Sequence, residues 1–136
     1  MEEKKIQELI GIAQKQRQFS YAPYSGFCVG AALLAGNGAV YTGCNIENGA
    51  YSPSNCAERT AIFKAVSEGV KDFRAICIVG GKGCKTPEEF CPPGGVCRQG
   101  MLEFCGPDFP VLVVSSDDGA YQTYTLQELL PCHFTL

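Results

Sequence analysis

The stretch Asn55-Cys56-Ala57-Glu58-Arg59-Thr60 constrains this chain more than any other. It sets a thiol and a carboxylate two residues apart where an amphipathic helix begins. Ala57, Ala61, Ile62, Ala65 and Val66 recur at helical spacing until Gly69 ends the run, and Asn55 or Ser54 is the expected N-cap. The unpaired N–H groups and the positive dipole end of such a terminus stabilise a thiolate. A second thiol-bearing helix start follows at Gly94-Gly95-Val96-Cys97-Arg98-Gln99. Two helix N-termini presenting cysteines can converge on one zinc ion, leaving Glu58 to move protons.

Composition narrows the partners. A chain of 136 residues that is 46% hydrophobic suits a single domain over residues 1–136 with a core of its own. The formal charge is −3 and no block of Lys or Arg stands out, so neither a nucleic acid polymer nor an anionic membrane surface is the expected partner. A small neutral molecule fits better. No apolar stretch approaches the ~20 residues of a membrane span. The nine cysteines cannot all pair within one chain. Met1-Glu2-Glu3-Lys4-Lys5 leads into an amphipathic pattern rather than an apolar signal core. The expectation is a reducing cytoplasm, where cysteines serve as small core residues or metal ligands.

Taken in order, Ile6, Leu9, Ile10 and Ala13 share a helical face, predicting a first helix over about residues 2 to 18, broken by Ala22-Pro23-Tyr24-Ser25-Gly26. Residues 27 to 35 form a short apolar run expected as a buried strand. Gly36-Asn37-Gly38 signals a hairpin, with a returning strand over 39 to 44. Asn45-Ile46-Glu47-Asn48 then reads either as a polar cluster facing a pocket or as a solvated loop. After the Cys56 helix, residues 74 to 80 are expected as a strand buried on both faces, and a helix between two strands favours parallel strands. Residues 81 to 93 read as loop, and the Cys97 helix runs to about residue 105. Strands over 110 to 115 and 121 to 124 and a short helix over 125 to 130 complete an α/β layered domain.

Each chemical reading has a structural rival. A lone cysteine is more often a core residue than a ligand. Cys28, Cys77 and Cys105 lie in apolar runs and are assigned to the core, while Cys44 and Cys132 stay undecided. Glu58 in a first helical turn can simply complement the dipole. Arg59 is either surface charge or an offset to thiolate charge beside the metal.

At this point a resemblance becomes specific. Cys-Ala-Glu-Arg-Thr-Ala from Cys56, followed by Cys-Arg-Gln from Cys97, resembles the small homotetrameric cytidine deaminases of pyrimidine salvage, zinc enzymes in which the glutamate is not a ligand. Tyr21-Ala22-Pro23-Tyr24-Ser25, the run from Phe27 to Leu34, Asn45-Ile46-Glu47-Asn48 and Glu128-Leu129-Leu130-Pro131 are similar to the family in the expected order, so the likeness covers roughly residues 8 to 134. It implies a three-layer α/β/α fold with a five-stranded mixed sheet of order 2-1-3-4-5. It implies Glu58 as the catalytic proton carrier and Arg59 as a supporting charge. Phe27, Asn45, Glu47 and Ala57 would bind the nucleoside, with Asn45 and Glu47 on the ribose hydroxyls. Phe134 would stack on a base held by a neighbouring subunit.

One departure matters. Where the family carries Pro-Cys-Gly-x-Cys-Arg-Gln, this chain carries Pro93-Gly94-Gly95-Val96-Cys97-Arg98-Gln99, so Gly94 stands where a third zinc ligand is expected beside Cys56 and Cys97. Either Cys91 reaches the metal through a rearranged Pro92-Pro93 loop, or one ligand is lost. Gly100, inside the Cys97 helix, weakens it by about 1 kcal/mol relative to alanine. The leading expectation is zinc-dependent deamination of cytidine and deoxycytidine. The alternatives are deamination of another cytosine nucleoside, such as an antibiotic, or a weakly active nucleoside-binding homologue.

Overall fold

Alternation along the central strands decides the layering. The structure is a computed structural model that describes residues 1–83 and 89–136. Its sheet has the order β2-β1-β3-β4-β5, with β1 at Phe27–Ala35, β2 at Val40–Cys44, β3 at Phe73–Lys82, β4 at Pro110–Val114 and β5 at Tyr121–Thr125. Leu33, Ile76, Ile78, Val111 and Val113 point to one face; Leu34, Cys77, Val79, Leu112 and Val114 point to the other. Successive side chains of a strand face opposite ways, so an apolar run such as Ala75 to Val79 needs cover on both sides.

Helix α1 (Glu3–Gln16) covers the second face through Ile6, Leu9, Ile10 and Ala13. Helices α2 (Ala57–Ser67) and α3 (Gly95–Leu102) cover the first, joined by Leu126 of the short α4 (Leu126–Leu129). The result is the expected three-layer α/β/α fold with its mixed sheet. β1 is antiparallel to both β2 and β3, and β3 is parallel to β4. The strands flanking α2 therefore run the same way, as expected, but with β1 between them. The adjacent parallel pair is the one flanking α3.

Several boundaries differ from the sequence reading. α1 gives way to a 3-10 turn at Arg17–Phe19 instead of continuing to residue 18. β3 continues through Gly80 and Gly81 to Lys82, because β1 still offers backbone partners there: Gly81 pairs with Cys28 and Lys82 with Phe27. Of the loop expected over 81 to 93, residues 84 to 88 lie outside the described residues.

The spacing between α2 and the sheet depends on Gly43. A Cβ at that position would come within 2.3 Å of the Ala57 carbonyl oxygen and 2.6 Å of the Ala61 nitrogen. With no side chain there, the first turn of α2 lies directly against β2.

Candidate active site

α2 begins on the thiol itself. Cys56, not Asn55 or Ser54, is the N-cap: its backbone is extended (φ −86°, ψ 163°), and its sulfur accepts the Arg59 backbone N–H at 3.4 Å and the Arg59 Nε–H at 3.2 Å. Asn55 is used one step earlier. Its backbone exchanges two hydrogen bonds of 2.9 Å with Ile46, and its side-chain amide donates to Thr60 Oγ1 at 3.1 Å. The cap is thereby anchored to the polar segment that follows β2.

α3 presents its cysteine differently. Gly94 is the N-cap, and Cys97 is the third helical residue, 4% exposed. The sulfurs of Cys56 and Cys97 meet, while their Cα atoms stay 7.3 Å apart. Relaxed disulfides hold Cα atoms at about 4.4–6.8 Å. The wider separation matches two thiolates aimed at one shared point better than a permanent cross-link.

Glu58, the second residue of α2, completes the cluster. One donor atom from each of Cys56, Glu58 and Cys97 lies within 4.8 Å of the others. Glu58 is 4% exposed, and among the described residues its carboxylate forms no ion pair. Burial pushes its carboxyl up from the usual range; its own backbone N–H and the Arg59 charge oppose the shift. A buried carboxylate beside two sulfurs is the arrangement a divalent cation satisfies, since buried charges are paired or bind metals. Zinc accepts thiolate and carboxylate donors alike, so this set fits it.

Gly94 contributes no donor. Its backbone is ordinary for any residue (φ −67°, ψ 167°), it makes no side-chain cap, and a Cβ built on it meets nothing within 4 Å. Cys91 lies outside the three-donor group. Its side chain fills the space over Gly80, where a Cβ would come 2.8 Å from the Cys91 sulfur and 3.1 Å from the Phe27 ring. Burial, with the Glu58 charge adding, pushes the Cys91 thiol up to about 11, against a downward pull from Arg17.

The residues expected to hold a nucleoside gather around the Phe27 end of β1. Asn45 bridges that strand, accepting from Val29 N–H at 2.9 Å and donating to the Phe27 carbonyl at 2.8 Å. The Glu47 carboxylate accepts from Tyr24 N–H at 2.9 Å, Ser25 N–H at 3.2 Å and the Ser25 hydroxyl, which holds its carboxyl below the usual range. Ala57, the first residue of α2, is fully buried, with its carbonyl against Gly43 of β2. Phe134, 68% exposed, instead lines a recess of about 220 Å³ with Gln99, Leu102 and Glu103 of the α3 side.

Two arginines escaped the sequence reading. Arg17 is fully buried; its guanidinium donates to the Cys28 carbonyl at 3.0 Å, Gln14 Oε1 at 3.0 Å and the Gly83 carbonyl at 2.9 Å. It ties the end of α1 to β1 and to the segment leaving β3. Arg98 donates to the carbonyls of Pro93 at 2.7 Å and Leu129 at 2.6 Å, fixing the approach to Gly94 against the end of α4. Arg17 carries no local signal, because a helix-terminal arginine ordinarily reads as solvated charge, and the Cys-Arg-Gln run that contains Arg98 does not reveal its distant Leu129 acceptor.

Residues 3–113 match the family model described as the cytidine and deoxycytidylate deaminase zinc-binding region. A curated cytidine deaminase from Sporosarcina psychrophila is 47% identical over 130 residues, covering 96% of this chain and 91% of the relative. One from Halalkalibacterium halodurans is 49% identical over 129 residues, covering 95% and 93%. The crystal structure of cytidine deaminase from Burkholderia pseudomallei superimposes with a TM-score of 0.84 at 39% identity, covering 98% of this chain and all of that one.

Proposed function

Because the chain belongs to the cytidine and deoxycytidylate deaminase zinc-binding family, we propose that it hydrolyses the exocyclic amine of cytidine and deoxycytidine, releasing ammonia and the uridine forms. The observation that carries this reading is the buried Glu58 carboxylate beside the sulfurs of Cys56 and Cys97 at two helix starts. The two sulfurs would hold zinc, which when bound supplies Lewis acidity and lowers the pKa of water toward neutrality.

The chain's own groups do the rest. Glu58 takes one proton from the attacking water and passes it to N3 of the base, then takes the remaining proton from the new C4 hydroxyl and delivers it to the departing amine as the C–N bond breaks. Its burial suits that task, since desolvation raises the carboxylate's affinity for a proton above that of an exposed acid. Arg59, donating to the Cys56 sulfur, offsets thiolate charge and fixes the ligand's direction. Phe27 flanks the nucleoside. Asn45 keeps one amide N–H beyond those it spends on β1, and the Glu47 carboxylate keeps lone pairs beyond those filled by Ser25 and Tyr24; both suit ribose hydroxyls. Ala57 contributes its backbone at the first turn of α2.

The reading extends to assembly and place. Phe134 is exposed near the end of the chain, and Phe63 and Val96 are exposed along a groove of about 510 Å³ between α2 and α3. We assign these apolar surfaces to contacts between copies of the chain in a cytoplasmic homotetramer, with Phe134 closing a neighbour's site. One domain carries the whole function.

Ammonia release from cytidine, deoxycytidine and blasticidin S, measured with zinc content per chain, tests the proposal. The last substrate is included because a Bacillus cereus blasticidin-S deaminase is 32% identical over 110 residues. Turnover of the two nucleosides with zinc bound is expected. Zinc-loaded protein that turns over neither would overturn it.

A further inference from the structure

Gly94 leaves the centre one protein donor short, and the chain has a replacement in place. We propose that Glu58 is itself the third protein ligand, making the centre a site of two thiolates and one carboxylate from Cys56, Cys97 and Glu58. This rests on the zinc-dependent reading above and concerns only which side chains hold the ion.

Three observations point the same way. Among the described residues, these are the only His, Cys, Asp and Glu side chains that form a three-donor group. Glu58 is buried and its carboxylate lacks an ion-pair partner among the described residues, so it needs a cation more than an exposed acid would. Cys91, the thiol closest to Gly94 in sequence on its N-terminal side, is packed over Gly80 against Phe27 and stands outside the group. To reach the ion it would have to vacate that space, with Pro92 and Pro93 stiffening the segment between it and α3.

Ligation and proton transfer then compete for one carboxylate. An oxygen donating its lone pair to a cation is a poor proton acceptor, so Glu58 must leave the ion to work. A chain built this way retains metal at the expense of turnover. Supplying a third thiolate at position 94 would release Glu58 to carry protons alone.

A double-mutant cycle on zinc affinity decides the matter without relying on activity. Zinc dissociation constants are measured by chelator competition for the chain itself, Glu58→Gln, Gly94→Cys and the double variant. Metal-free unfolding curves are recorded first, and Glu58→Ala replaces Glu58→Gln if the amide prevents folding. Loss of a supporting residue around a metal typically costs ~10–100-fold in affinity, so loss of a true ligand should cost at least that. Glu58→Gln is therefore expected to weaken zinc binding by at least ~10-fold beside Gly94, and to have little effect beside Cys at 94. An equal change in both backgrounds, or none in either, overturns the assignment. If only Gly94→Cys binds zinc, the ligand assignment fails while the zinc-dependent reading of the fold survives. If no protein of the four binds zinc, both fail.

Discussion

Cys56 and Gly94 occupy the same station on their helices. Each is the N-cap, each has an extended backbone, and the helices they start bring Cys56 and Cys97 together. One cap carries a sulfur that accepts two hydrogen bonds, and the other carries nothing.

Gly94→Cys should therefore be structurally free. Its φ and ψ suit any residue and the added Cβ meets open space. The variant is expected to retain more zinc and to deaminate cytidine faster, both read on protein purified without added metal. If Cys91 already serves as a ligand, that change does little and Cys91→Ala strips the zinc instead. Zinc content and turnover unaffected by either substitution would show that neither position 94 nor Cys91 supplies a ligand.

Glu58→Gln keeps the shape of the side chain and removes its ability to carry a proton. The expected loss in kcat is about 10²–10⁴-fold. Wild-type turnover by a correctly folded Glu58→Gln protein would remove Glu58 from the mechanism.

Gly43→Ala should be costly where Gly94→Ala is mild. The first forces a methyl to within 2.3 Å of the Ala57 carbonyl and must lift the start of α2 off β2; the second meets no atom within 4 Å. Overpacking of this kind costs about 1–3 kcal/mol, readable from urea unfolding midpoints. Equal stability of the two variants would show that α2 is not held by that close approach.

Arg17→Met removes a guanidinium that serves two backbone carbonyls inside the protein. Buried acceptors left without donors cost ~1–3 kcal/mol each, so a loss on the order of 3 kcal/mol is expected. Arg17→Lys should recover only part of it, because one ammonium cannot reproduce the planar fork. Indistinguishable unfolding of all three proteins would contradict the role.

What the sequence made legible followed from periodicity and local turn chemistry. The face of α1, the Gly36-Asn37-Gly38 turn and the fully buried β3 emerged because they depend on neighbours in the chain. What stayed hidden depended on partners far away. Asn55 is a better intrinsic cap than cysteine, but its amide is drawn to Thr60 and its backbone to Ile46, leaving Cys56 as the cap. Gly80-Gly81 reads as a strand breaker until β1 is seen to pair past it. Cys91 looked able to reach toward the helix starts because spacing cannot reveal that Gly80 leaves a hollow for its side chain. Arg17 drew no notice because its acceptors are 11 and 66 residues away.

The capping role of Cys56 has a practical consequence for anyone labelling this protein. A thiol that receives the Arg59 amide is part of the fold as well as of the site. An alkylating reagent that blocks it also removes the cap, a loss of about 1 kcal/mol at the start of α2. Inactivation by such a reagent would thus mix two injuries, a blocked sulfur and a frayed helix. Thiol labelling here reports on an altered molecule, and a reversible metal chelator is the cleaner probe.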